Sequence, residues 1–226
     1  MLSGSYLLIV IIAILGMIVQ GVLKAKFEKY GKIPLSAGLS GKEVAEQMLA
    51  DHGITDVQVI STPGALTDHY NPLKKTVNLS APVYGSRSVA AAAVAAHEVG
   101  HAVQHARGYA WLKMRSAMVP MLSVSNKFVT ILLIAGILMI RSFPQLLLAG
   151  IILFALTVVF SFITLPVEYD ASRRAKQWLE QSGLVTPEEK AGVADALKWA
   201  ARTYVVAALS SLATLLYYLN IYNSRR

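Results

Sequence analysis

Cysteine is absent from this chain, which rules out disulfides and any metal site built on thiolates. Charge is scarce as well. Only 15% of the residues are Asp, Glu, Lys or Arg, and the acidic ones are the rarer kind, 13 against 21 basic. The resulting formal net charge of +8 comes with 8% aromatics and no nucleic-acid reader motif, so nucleic acid is not the expected partner. What the chain has in excess is apolar surface. At 55% hydrophobic over 226 residues, it carries more than an ordinary soluble domain would bury.

The excess is concentrated in nearly charge-free blocks at residues 5–23, 128–140, 145–165 and 203–219. About 20 residues at roughly 1.5 Å each cross a hydrocarbon core, so these blocks predict about four transmembrane helices, with three as the main rival. The spans are placed at residues 1–23, 119–140, 145–165 and 203–222. The second reaches spanning length only by taking in Met121 to Asn126, which leaves Lys127 to snorkel toward the headgroups. The first block lacks a basic stretch before it, and Lys24, Lys26, Lys29 and Lys32 follow it; it is expected to stay as a span rather than be cleaved as a leader.

Basic residues orient the spans. Residues 24–118 carry eleven Lys/Arg and residues 166–202 carry six, whereas the "RSFP" turn between the second and third spans carries only Arg141. With four spans, both large segments fall on one side, and the positive-inside rule makes that side the cytoplasm. The tail "NSRR" counts mildly the other way. The lipid bilayer is therefore the partner that accounts for the positive charge.

In the first large segment, "LSGKEVAEQMLADHGI" predicts a short amphipathic helix capped by Ser40, with Val44, Met48 and Leu49 near one face and Gly53 as its stop. Two β-prone runs follow, "DVQVI" at 56–60 and "TVNLS" at 76–80, and the turn-rich "STPGALTDHYNPLKK" separates them; a small β-ribbon is expected. In the second segment, "EYDASRRAKQWLEQSG" is helical. It is followed by "TPEEKAGVADALKWAAR", with Thr186 as cap, Pro187 in the first turn and Glu189 as capping-box partner. That helix is expected to run on into the fourth span.

Three of the five histidines lie in "AAAAVAAHEVGHAVQH". Ser86 or Ser88 caps a helix through the alanine run, and Gly100 costs it about 1 kcal/mol without ending it. His97 and His101, four residues apart, share a face and can converge on one tetrahedral zinc. Glu98, about 100° around the helix, is placed to act as a base rather than a ligand. This chain's own His and Glu frequencies give about 0.004 chance occurrences of the pattern, so the alternative of solvent-facing or packed histidines beside a salt-bridging glutamate is disfavoured. His105 lies eight residues from His97, about 12 Å of rise, too far to share the ion; a polar role beside the site or at the surface is expected for it.

Zinc then needs a ligand from elsewhere. Glu168, two residues past Pro166, is preferred, held rigidly if a helix starts there; Asp170, Glu180, Glu188 and Glu189 are its competitors. Candidates for an oxyanion donor are His69, Tyr70, Arg173 and Arg174. "TVNLS" is either a dock for an extended substrate strand or an internal edge of the ribbon.

The combination of "LTDHYNPLKKTVNLS", "YGSRSVAAAAVAAHEVGHAVQH" and "LPVEYDASRRA" resembles the membrane-bound neutral zinc metallopeptidases of bacteria, essentially over the whole chain. More distantly it is similar to the heat-shock-associated gluzincin membrane endopeptidases. The resemblance implies a mainly α, multi-pass membrane protein with a gluzincin-like zinc-binding helical core. It also implies His97, His101 and Glu168 as ligands of Zn²⁺, with Glu98 as the catalytic base. The distant relatives often have an aspartate four residues after the ligand glutamate to orient a histidine; this chain has Ser172 there and Asp170 nearby.

The expected activity is that of a zinc metalloendopeptidase in the bacterial cell membrane. It would cleave membrane-associated or unfolded proteins on the cytoplasmic side, at a juxtamembrane or interfacial site. The alternative is a non-catalytic scaffold or chaperone-like adaptor whose zinc is structural; the retained Glu98 speaks against it, because a structural site closes its fourth position.

Overall fold

The computed structural model describes residues 4–224; residues 1–3, where the first expected span begins, and 225–226, which end the "NSRR" tail, lie outside the described residues, as does the side chain of Ser5. In order, the elements are α1 (Gly4–Gly31), α2 (Gly41–Asp51), β1 (Gln58–Thr62), β2 (His69–Asn71), β3 (Thr76–Ser80), α3 (Ala81–Tyr84), α4 (Val89–Ala106), α5 (Ala110–Leu138), α6 (Gln145–Gln181) and α7 (Pro187–Ser224). The chain is mainly α, and α1, α5, α6 and α7 are the four described helices long and apolar enough to cross a membrane.

The chain forms two compact units. One takes the N-terminal part through Ile18, Lys113–Leu165 and the part from Thr203 onward. Its apolar side chains point outward: Met17 is 67% exposed, Ile131 66% and Leu138 80%. Such a surface is stable against lipid, not against water. Val129, Leu133, Leu147 and Ile151 cluster inside it. There α5 and α6 approach closely because Gly136 faces Leu147 and Gly150 faces Leu133, with no space for an added side chain.

The other unit comprises Val19–Leu112 and Pro166–Arg202. In it, α2 begins with the expected Ser40 cap, extended to a capping box by Glu43: Glu43 N–H donates to the Ser40 hydroxyl oxygen, and the Ser40 N–H and hydroxyl return bonds to the Glu43 carboxylate. Those two bonds, the backbone one first, hold the Glu43 carboxyl below its ordinary range. The helix buries Val44, Ala45, Met48 and Leu49.

The β-prone runs pair as expected, but in parallel, β1 on β3, and a third strand joins them. This strand, β2, comes from inside the turn-rich stretch and pairs antiparallel with β3, giving the order β1-β3-β2. Three residues between Asp68 and Pro72 carry too short a pattern to read as a strand. Asp68 helps to hold it, accepting from the N–H and the hydroxyl of Ser80 at the end of β3.

The core of this unit is built around α4. Ser88 caps it, accepting from Ala91 N–H, and nearly every residue from Val89 to Gln104 is buried. A helix apolar all round belongs inside a core, and alanine lets its neighbours approach from every side. Val44 and Met48 of α2, Leu79 of β3, Ala175 and Leu179 of α6, and Val193 and Leu197 of α7 join it in one cluster. Glu189 caps α7 with Thr186 and also accepts from the N–H and hydroxyl of Ser36.

One expectation changes. Glu168 is not at the start of a new helix; α6 runs through Pro166 unbroken, as long apolar helices tolerate. The segment that ends as a span and the segment that carries Glu168 are one helix.

Leu179 is fully buried in this cluster. Leu179→Ala is expected to cost about 2–5 kcal/mol, measured as a lower thermal midpoint of the detergent-solubilised protein, while leaving the far-ultraviolet helical signal at low temperature unchanged.

Candidate metal centre

The site is made by two helices. On α4, the rings of His97 and His101 stand edge to face with centroids 4.8 Å apart. Between them lies Gly100, and α6 crosses there. A methyl group on Gly100 would sit 2.7 Å from the carbonyl oxygen of Ala171, inside van der Waals contact. The glycine that costs α4 helical propensity is thus what admits α6 to this depth.

One turn before Ala171, α6 presents Glu168, 2% exposed. Its Oε2 lies 3.2 Å from Nε2 of His97 and 3.5 Å from Nε2 of His101. The three residues can offer one donor atom each, all within 4.8 Å of one another. Zinc bonds of about 2.0–2.1 Å in a tetrahedron set neighbouring donors about 3.3 Å apart, which these two separations match. Two imidazoles and one carboxylate also form the donor chemistry of a zinc site that keeps a position open. The residues fit zinc.

Each imidazole has an acceptor or donor on its far side. Nδ1 of His101 lies 3.1 Å from Oε1 of Gln104, a fully buried side chain whose Nε2 donates to the Val167 carbonyl at 2.7 Å and to Asp170 at 2.9 Å. Asp170 in turn accepts from Arg173 and Arg174. Nδ1 of His97 lies 3.2 Å from the hydroxyl of Ser172. Contacts of this kind leave Nε2 of both rings directed at Glu168. Gln104 went unnoticed in the sequence, although its spacing of three from His101 places it on the same side of α4.

Glu98 is buried, 8% exposed. Burial pushes its carboxyl up to about 7; His97 opposes this, Glu168 and Asp68 add to it, and a hydrogen bond from the Tyr70 backbone N–H again lowers it. A dication at the triad draws such a group back down.

The remaining candidates fall elsewhere. His105 is exposed, its Nδ1 2.8 Å from the Tyr70 hydroxyl. His69 Nδ1 contacts the Thr67 carbonyl oxygen. Arg173 and Arg174 are engaged with Asp170. Glu180 and Glu188 are exposed, and Glu189 serves as a cap. The strand "TVNLS" is β3, flanked on both sides and buried at all five positions; it has no edge to offer a substrate.

Fold and site together define a multi-pass membrane protein with a gluzincin-type His-His-Glu metal-binding triad. Residues 5–223 match the family described as "Putative neutral zinc metallopeptidase", and the chain belongs to that family. It is 43% identical over 207 residues to the "Putative membrane protease YugP" of Bacillus subtilis (strain 168), an alignment covering 92% of this chain and 91% of that protein. No solved structure matches this chain. The protein is a zinc-dependent metalloendopeptidase of the bacterial membrane that acts on peptide substrates.

Because α6 rests on Gly100, Gly100→Ala is expected to push Ala171 away and to weaken zinc binding about tenfold or more, in line with the 1–3 kcal/mol typical of overpacking. Competition with a chromophoric chelator reads this directly; wild-type affinity in the variant would show that the contact does not position Glu168.

Proposed function

We propose that His97, His101 and Glu168 hold the zinc, that Glu98 is the general base, and that the site faces the cytoplasm, where it cleaves membrane-associated or unfolded proteins. The observation that carries this reading is the convergence of the three donors from α4 and α6, with Glu98 buried beside them. Bound zinc supplies Lewis-acid polarisation of the scissile carbonyl and acidifies the attacking water. Glu98 takes a proton from that water at its carboxylate and delivers it to the departing amine. Gln104 and Ser172 hold the two rings in one orientation, so that the donors are in place before substrate arrives.

Substrate docking is best supported along β2. It is an edge strand of the sheet, and its Tyr70 N–H reaches Glu98, so an extended peptide laid there would pass the base. Backbone pairing reads little of the side chains, which suits unfolded substrates. A set of three protein donors rather than four favours this enzymatic reading over a structural zinc in a scaffold.

Glu98→Gln is expected to keep one zinc per chain and lose proteolysis of an unfolded membrane-protein substrate by several orders of magnitude, whereas Glu168→Ala loses zinc and activity together. Turnover within about tenfold of wild type in metal-loaded Glu98→Gln would remove Glu98 as the base.

The cytoplasmic placement of residues 24–118 and 166–202 rests on their seventeen Lys/Arg against Arg141 alone in the turn between α5 and α6. Cysteines placed at Ser86 and Ser182 are expected to be shielded from an impermeant thiol reagent added to intact cells, and one at Ser142 to react. External labelling at Ser86 or Ser182 would reverse the orientation.

A further inference from the structure

A cavity of about 930 Å³ lies along the faces of α6 and α7 within the Val19–Leu112 and Pro166–Arg202 unit. Its walls change character along their length. Pro166 on α6 and Ala201 on α7 form an apolar end beside Tyr109 and the half-exposed Tyr169, with Leu197 next to it at the level of Lys198. Arg173 and Lys176 on α6 and Lys198 on α7 form a cationic part. Pro166 directly follows the apolar stretch 145–165, and Ala201 comes two residues before the stretch starting at Thr203. Arg173, seven residues beyond Pro166, is about 10 Å further along α6.

The carboxylates in this cavity do not cancel its cations. Asp170 is shared between Arg173 and Arg174, the latter outside the cavity lining. Asp195 is held by Lys26 at 2.7 Å and by the Tyr30 hydroxyl at 2.7 Å, both also from outside the lining. Arg173 shares Asp170 with Arg174, and Lys198 shares Asp195 with Lys26, so Arg173, Lys176 and Lys198 together outweigh the exposed Glu180 once these outside cations are counted. The cavity therefore has a positive excess, an apolar end adjoining two spans in sequence, and tyrosines of the kind that sit at headgroup level.

We infer that this cavity binds the phosphate-bearing headgroup of an anionic phospholipid, with Lys176 and Lys198 on the phosphate and the glycerol end against Pro166 and Ala201. The pairing of an apolar with a cationic end favours an amphiphile over a free anion, and the position at the ends of two spans favours a lipid over a peptide. This is a binding site apart from the zinc triad, although Ser172, Asp170 and Arg173 line it and also stand behind the two histidines.

The test uses the full zinc-loaded chain in nanodiscs of phosphatidylcholine with a minor fraction of phosphatidylglycerol, with retained lipid counted by native mass spectrometry. Wild type is expected to retain phosphatidylglycerol in preference to phosphatidylcholine. Lys176→Gln with Lys198→Gln should lower that preference about tenfold or more, at roughly a fivefold effect per lysine, with zinc content unchanged. Lys176→Arg with Lys198→Arg should keep it. Lys113→Gln with Lys127→Gln removes the same charge outside the cavity and should also keep it. Equal loss in that control pair would reduce the effect to diffuse surface attraction and overturn the proposal. So would displacement of the lipid by millimolar inorganic phosphate, which would make the ligand a free anion, or by an acidic peptide, which would make the cavity part of the substrate path.

Discussion

The zinc triad depends on the contact between the backbones of α4 and α6 at Gly100 and Ala171. A glutamate side chain has limited reach, so Glu168 can meet Nε2 of His97 and of His101 only if its helix lies almost against theirs. Every other residue type would hold the two helices apart by the width of its own Cβ. The alanines before the histidines extend the same logic outward: Ala90–Ala93, Ala95 and Ala96 are small enough to let neighbours close in, and that part of α4 is buried on all sides. A metal site assembled from two helices needs this closeness, since the donors must come within a few ångströms of one another without strain in either backbone.

Closeness brings an electrostatic problem. Glu98 and Glu168 are both buried at the site, and a further carboxylate touching the histidines would add to the cost of confining like charges. Here the groups in contact with the rings are neutral, an amide at His101 and a hydroxyl at His97. The nearby carboxylate, Asp170, is set back behind Gln104 and compensated by two arginines. An aspartate in place of Ser172 would touch His97 directly. The serine together with Asp170 two residues earlier thus amounts to a rearrangement of the support, in which the charge is moved away from the zinc and an amide carries the orientation to His101.

How much of this could be read in advance follows from the range of each signal. Patterns confined to one helix or span were legible: the long apolar blocks, the Ser40 and Thr186 caps, and the spacing of His97, Glu98 and His101. Glu168 was legible only as a preference among five acidic residues, because nothing local says which point on α6 meets α4. Gly100 carried a visible cost in propensity, but its benefit depends on a residue 71 positions later. The strand β2 was hidden for a different reason: three residues hold no period, and Tyr70 finds its place through pairing with Val77 and a hydrogen bond to Glu98. The rigid hold on Glu168, expected from a helix starting after Pro166, comes instead from α6 running through the proline, which long apolar helices tolerate.

That unbroken helix has a mechanical consequence. Glu168 follows the apolar stretch 145–165 by three residues, about 4.5 Å of rise, with no joint between them. A ligand on a flexible loop could adjust to the metal while the span tilted or shifted in the bilayer. A ligand on the continuation of the span cannot: rotation of α6 about its axis by one residue, about 100°, would carry Glu168 away from both histidines. The capped turn at Thr186 and Glu189, tied to Ser36, anchors the start of the next helix within the same unit.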